Sequence, residues 1–292
     1  MELNATFKKR VRDEVIARRN NYGGSDAKFA KTIGLNPSSF SKLKANETDR
    51  VISDNEWLRI GKEFNVRMVS DNWKVARTSI YNEIESNLTF CKNLSKSMIL
   101  VDDCGIGKTF CTRHILKSMK NAFYLDCSQY KTCQQFVRGL AKTIGVDDKG
   151  KYVDVKSTLK YYLGQIEKPL IVLDEAGDLS YPAFLEVKEL WNGTDGICGW
   201  YMMGADGLRA KIRKGINNKR VGFAELFSRF SDEFIQLIPQ PKEDKTAYYR
   251  KLLADVAKAN CNNKDIINQL VAKCLKKETT LRYLETLIKV NQ

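Results

Sequence analysis

The sequence holds a single histidine, His114, among 292 residues, and none of its eight cysteines forms a Cys-x-x-Cys pair. A structural zinc site needs closely spaced thiolate and imidazole ligands, so none is expected. The cysteines, at 91, 104, 111, 127, 133, 198, 261 and 274, are scattered through apparent core segments and read as reduced thiols rather than a disulfide framework. His114 follows Phe110 by one helical turn, which suits a structural or surface role. Long hydrophobic runs are also missing. The most apolar stretches, 98–101 and 170–173, have strand length, far below the roughly 18 residues of a membrane span. With no apolar leader at the N-terminus, the expected location is cytoplasmic, with no membrane partner.

What is present is an ordinary globular composition, 43% hydrophobic and 29% charged, long enough for two or three domains. Lys and Arg number 49 against 35 Asp and Glu, a net charge of +14, and residues 1–76 and 238–292 are proportionally more basic than the middle. Such a surplus gathers polyanions and hints at nucleic acid. No internal repeat or low-complexity stretch is evident.

The first 70 residues read as short, punctuated helices. Leu3, Phe7, Val11 and Val15 recur at helical spacing, and Gly23-Gly24 ends that helix. Ser25 caps a second helix with Ala27, Phe29, Ala30 and Ile33 on its apolar face. Gly34-Leu35 makes a turn, and Asn36-Pro37 opens a third helix containing Phe40 and Leu43. Ser53-x-x-Glu56 is a capping box for a fourth helix with Trp57, Leu58, Ile60 and Phe64. A small residue at a helix crossing, a glycine turn and apolar anchors behind an exposed helix resemble the helix-turn-helix of phage repressors of the Cro and cI type. The resemblance makes Ser38, Ser39, Ser41, Lys42 and Lys44 candidates for contacting DNA; a helical bundle for protein contacts is the alternative.

From about residue 96, strands alternate with helices, the pattern of a parallel sheet covered on both faces. Strands are expected at 98–101, 122–126, 170–173, 200–204 and 234–237. Pro239 and Pro241 mark a boundary, and three helices follow, at roughly 243–259, 263–276 and 279–290.

The strongest motif is Met98-Ile-Leu-Val-Asp102-Asp-Cys104-Gly105-Ile106-Gly107-Lys108-Thr109-Phe110, an apolar strand running through a glycine-rich loop into a helix. Amides of such a loop converge on phosphate oxygens at the positive end of the helix. Residues 104–110 are therefore the candidate nucleotide cradle, with Lys108 on the β- and γ-phosphates of ATP and the Thr109 hydroxyl on Mg²⁺. Asp102 stands where the P-loop pattern has its first glycine. Some 65 residues on, Pro169-Leu-Ile-Val-Leu-Asp174-Glu175 is an apolar strand ending in two acids. Asp174 is the second candidate for the Mg²⁺ shell, and Glu175 is placed to orient and polarise the attacking water.

From about residue 77 onward the chain resembles AAA+ ATPases. The resemblance implies an α/β fold: an AAA+ P-loop core with a five-stranded parallel sheet over 71–238, preceded by an all-α helix-turn-helix domain at 1–70 and followed by a helical lid at 239–292. It implies Mg²⁺-dependent hydrolysis of ATP. It also makes Arg229, in Glu225-Leu-Phe-Ser-Arg229-Phe230, an arginine finger acting on a neighbouring subunit of a homo-oligomer, and Arg282, in Thr280-Leu-Arg282, a γ-phosphate contact from the lid. Asp206 is the candidate polar residue after the fourth strand.

The order of these parts, with Leu190-Trp-Asn-Gly-Thr194-Asp-Gly-Ile leading to Tyr201-Met-Met-Gly204-Ala-Asp-Gly-Leu208, is similar to the family of the phage Mu B transposition protein and related transposon target-selection ATPases. That family implies a helical filament on double-stranded DNA with little sequence preference and delivery of that DNA to a transposase. A helicase loader or initiator, and a nucleotide-switched transcriptional regulator, remain alternatives. Independently of family, residues 209–220 hold six basic residues, Arg209, Lys211, Arg213, Lys214, Lys219 and Arg220, in twelve positions with no acid. A turn is expected near Gly215 and Asn217-Asn218, from which these side chains can grip phosphates.

Overall fold

The computed structural model describes residues 3–291 apart from 23, 65, 67 and 69–72, so Gly23 and the expected boundary at 70/71 lie outside the described residues. Helices α1 (Ala5–Asn21), α2 (Asp26–Thr32), α3 (Pro37–Lys44) and α4 (Asp54–Glu63) come first. They close on Phe7, Val11, Val15, Phe29, Phe40, Leu43, Trp57 and Ile60, all at most 4% exposed. Their starts are set locally. The Asn36 side chain accepts from the Ser38 amide at 3.1 Å, with Pro37 in the first turn, and the Ser53 amide donates to Glu56 at 2.9 Å. The rings of Phe29 and Phe40 meet edge to face with centroids 5.4 Å apart and hold α2 against α3 across the Gly34 turn. Leu58, on the outer face of α4, remains 38% exposed.

The rest of the chain runs α5 (Ser79–Leu94), β1 (Ser97–Val101), α6 (Lys108–Leu116), β2 (Ala122–Asp126), α7 (Cys133–Ile144), α8 (Tyr152–Gln165), β3 (Leu170–Asp174), a 3₁₀ turn (Ala176–Asp178), α9 (Tyr181–Asn192), β4 (Gly199–Gly204), α10 (Asp206–Asn217), α11 (Phe223–Arg229) and β5 (Phe234–Ile235). Helices α12 (Lys242–Asn260), α13 (Ile267–Lys276) and α14 (Leu281–Val290) follow. The sheet is parallel throughout, in the order β2-β3-β4-β1-β5. Strands that sequence reading places at 98–101, 122–126, 170–173 and 200–204 are found within one residue of those limits, whereas β5 is shorter than the expected 234–237.

Alternation along each strand divides the core. Ile99, Val101, Phe123, Leu125, Ile171, Leu173, Trp200 and Met202 face α7 to α11. Leu100, Ala122, Leu170, Val172, Tyr201 and Met203 face α5, α6 and the C-terminal helices. Each fully buried side chain of this size contributes roughly 1.5–3 kcal/mol relative to exposure. Because every strand is parallel, the segments leaving β1, β3 and β4 emerge at one end of the sheet, which is where the candidate site forms.

The N-terminal helices dock on the β2 edge. The Asn121 amide donates to the Asn21 carbonyl at 3.2 Å, Asn21 Nδ2 to the Leu116 carbonyl at 3.1 Å, and the Tyr22 hydroxyl to the Gly145 carbonyl at 3.2 Å. Ion pairs Lys117–Glu14 (3.0 Å) and Lys142–Glu63 (3.3 Å) flank this seam. Among the described residues no helix is long and apolar enough to cross a membrane.

Candidate nucleotide site

The loop from Asp102 to Gly107 turns between β1 and α6 and lines a cleft of about 1580 Å³ that also receives Glu175, Ala205 and Arg282 and runs on to the N-terminal helices. Gly105 has φ +74°, a left-handed conformation, and a Cβ there would lie 2.3 Å from Thr280 Oγ1. The Leu281 amide donates to the Gly105 carbonyl at 3.2 Å, so the first turn of α14 sits on the loop and brings Arg282 to the cleft. Lys108 Nζ donates to the Asp102 and Asp103 carbonyls at 2.8 and 2.7 Å, and burial lowers the pKa of its ammonium. Phe110, 43% exposed, and Cys104, also exposed, complete the rim, while Ile106 is buried beneath it.

Thr109 Oγ1 donates to Asp174 Oδ2 at 2.7 Å, so the end of β3 and the start of α6 present a hydroxyl beside a carboxylate. This is the donor set of a magnesium ion: hard oxygens from one or two side chains, with the remaining positions left to phosphates and water. Among the described residues no three His, Cys, Asp or Glu side chains cluster as a metal site. Glu175 is exposed to the cleft in a left-handed conformation (φ 50°), and desolvation together with the Asp174 carboxylate raises its pKa. The arrangement offers phosphate cradling, cation binding and a carboxylate poised over the same volume.

Asp102 fills the position of the missing glycine with a structural role. It is 4% exposed, and its Oδ2 accepts from the amides of Leu237 (2.5 Å) and Ile238 (3.0 Å), tying the loop to the exit of β5. Asp103 binds the Tyr249 hydroxyl at 2.8 Å and Lys245 at 2.7 Å, both on α12. Sequence reading missed these contacts, and also Tyr124, whose hydroxyl donates to Asp174 Oδ2 at 2.6 Å. No local motif announces them, because partners 50 to 146 residues apart meet only once the strands are ordered.

Other expected site residues lie elsewhere. Arg229 Nε donates to Asn192 at 2.6 Å, and next to it Ser231 Oγ donates to the carbonyl of Ser97, the first residue of β1, at 3.0 Å. Arg229 thus lies near the start of β1, the end of that strand opposite the glycine-rich loop. Asp206 opens α10 with its side chain 84% exposed and pairs with Arg209 at 3.4 Å.

The basic run 209–220 is mostly helix. Gly215 lies inside α10 against Phe223, and the turn comes only at Asn218. Lys211 Nζ points inward, donating to the Gly177 carbonyl at 2.6 Å and to that of Leu179, while Arg209 donates to the Val101 carbonyl at 3.2 Å. Arg213 and Arg220 lie over the rings of Phe234 and Tyr181 at 5.8 and 3.7 Å. Lys214 and Lys219 are exposed. On α3, Ser38, Ser41, Lys42 and Lys44 are exposed and Ser39 is half-buried; Lys44 pairs with Asp26 at 2.6 Å.

Residues 93–212, from the end of α5 into α10, match a family model described as an AAA domain. That stretch is similar to an AAA domain. The P-loop, Asp174 and Glu175 all fall within it, and its sheet is that of the AAA+ P-loop fold. No curated protein sequence matches this chain. Among solved structures it is similar to the Orc1 protein of Aeropyrum pernix in complex with DNA, with TM-score 0.51 and 14% identity over 73% of this chain and 58% of that one. It is also similar to NtrX of Brucella abortus in complex with ATP, with TM-score 0.44 and 13% identity over 88% and 59%. The chain therefore spans less than two thirds of the length of either protein.

Proposed function

We propose that this chain is a Mg²⁺-dependent ATPase whose nucleotide state governs binding to double-stranded DNA. The observation that carries the reading is the Thr109–Asp174 pair at 2.7 Å, with Lys108 lying across the loop and Glu175 beside it. Lys108 would contact the phosphates of ATP, Thr109 and Asp174 would hold a Mg²⁺ ion that neutralises phosphate charge, and Glu175 would orient the attacking water. Arg229, too far from its own loop, would complete the site of a neighbouring subunit in a ring or helical filament.

DNA binding rests on the net charge of +14 and on exposed Lys214, Lys219, Ser38, Ser41 and Lys42; the Orc1 protein that shares the fold was solved with DNA. Within this reading, resemblance to target-selection ATPases favours assembly on DNA with little sequence preference and its delivery to a transposase, and a helicase loader or initiator is the competing role.

Electron microscopy with random-sequence duplex DNA tests this, comparing a non-hydrolysable ATP analogue with ADP. Filaments with the analogue alone are the expected result. Discrete rings or single-strand preference would replace target selection by the loader role, and Lys108→Ala with undiminished ATP-dependent DNA binding would overturn the site itself.

A further inference from the structure

We propose that Tyr124 is a positioning residue for the metal site: its hydroxyl, held on the edge strand β2, aims the Asp174 carboxylate at the cation. The inference rests on the Mg²⁺ reading of Thr109 and Asp174 given above.

Register explains how the contact arises. Tyr124 pairs with Val172 across parallel strands, and Asp174 is two residues further along β3 on the same face. The long phenol reaches that distance, and its hydroxyl donates to Asp174 Oδ2 at 2.6 Å. Thr109 donates to the same oxygen at 2.7 Å, and the Glu175 amide donates to Oδ1 at 2.9 Å. Asp174 is only 2% exposed, so these three donors replace the water that a buried carboxylate needs. Two of them come from elements joined to the loop and to β3 itself, α6 and the turn after β3. Tyr124 is the one supplied by the neighbouring edge strand β2.

The tyrosine is itself held. The Arg113 guanidinium lies 4.7 Å from the ring centroid and reaches to 3.8 Å from Asp126, the last residue of β2. With Asp174 Oδ2 engaged by two hydroxyls, its carboxylate is fixed in one orientation and an Oδ1 lone pair is left for the cation or its water, while the Thr109 proton is directed to Oδ2. Metal affinity at such sites is sensitive to the hydrogen-bond partners of the ligands, typically by 10- to 100-fold.

The test is nucleotide binding rather than turnover: a fluorescent, non-hydrolysable ATP analogue titrated with MgCl₂, and again in excess EDTA, using the full chain. Tyr124→Phe keeps the ring beneath Arg113 and removes only the hydroxyl. The expected result is a rise of about tenfold in the Mg²⁺ concentration for half-maximal binding, with affinity in EDTA close to that of the parent and a lower melting temperature in EDTA, because a buried carboxylate loses one donor. In an Asp174→Asn background the same substitution should have little further effect, since the hydroxyl acts through the carboxylate. An unchanged Mg²⁺ midpoint in Tyr124→Phe, while Asp174→Asn alone shifts it, would overturn the role of Tyr124 and leave the metal site standing. Equal losses with and without Mg²⁺ would show a merely structural tyrosine. If Asp174→Asn itself left the Mg²⁺ dependence unchanged, the metal site and the proposal would fail together.

Discussion

Asp102 Oδ2 accepts a hydrogen bond from the Ile238 amide at 3.0 Å, and from the adjacent Leu237 amide as well. A residue that breaks the glycine pattern of a phosphate-binding loop is thereby the clamp between that loop and the segment leading from the sheet to α12. Restoring the pattern should harm the protein. Asp102→Gly removes a charged acceptor from two amides, at a cost of about 3 kcal/mol, read as a lower midpoint in urea unfolding. Unchanged stability would mean the clamp is dispensable.

Docking of the N-terminal helices can be tested at Gly145, which caps α7 at φ +88°. A Cβ there would lie 2.3 Å from Tyr22 Cε2. Gly145→Ala should destabilise by about 1–2 kcal/mol from the left-handed backbone alone, and more from the clash. Combining it with Tyr22→Ala should recover the steric part, giving a coupling of at least ~0.5 kcal/mol in a double-mutant cycle. Strict additivity of the two changes would show that the seam is not packed as described.

Glu175 carries a pH prediction. Its folded pKa lies above its unfolded one, because desolvation and Asp174 disfavour the charged form. Between the two values the folded state binds more protons than the unfolded state, so this group's contribution to stability declines as pH rises through that window and is unfavourable above it. Glu175→Gln should therefore melt slightly above the parent at neutral pH, and the gap should close toward the unfolded pKa. The effect is small because the side chain is exposed to the cleft. The same variant should bind ATP and not hydrolyse it. A melting gap that widens with acid would reverse the assignment.

Two lysines three positions apart should behave differently on DNA. Lys214 is exposed, whereas Lys211 donates to the Gly177 and Leu179 carbonyls. If α10 meets phosphates, Lys214→Ala should flatten the plot of log affinity against log salt by about 0.9, without lowering the melting temperature. Lys211→Ala should do the reverse. Equal salt slopes for parent and Lys214→Ala would remove α10 from the DNA interface.

Local chemistry determined much of this protein by itself. The apolar runs into Asp102 and Asp174, the Gly105-x-Gly107-Lys108-Thr109 tail, the Asn36-Pro37 cap and the Ser53–Glu56 capping box are contiguous signals, and the elements they announce form where the motifs stand. Tertiary structure decided what contiguity cannot carry. Strand order put Tyr124 against Asp174, and the exit of β5 gave Asp102 its partners. Continuation of α10 through Gly215 left Lys211 capping backbone carbonyls instead of facing solvent. Helical spacing in α1 showed the buried face of Phe7, Val11 and Val15, but not that Asn21 and Tyr22 at its end would seat it on the β2 edge. The division is physical: caps, turns and periodicity depend on neighbours in the chain, whereas a hydrogen bond between residues 50 or 136 positions apart exists only after the sheet has closed.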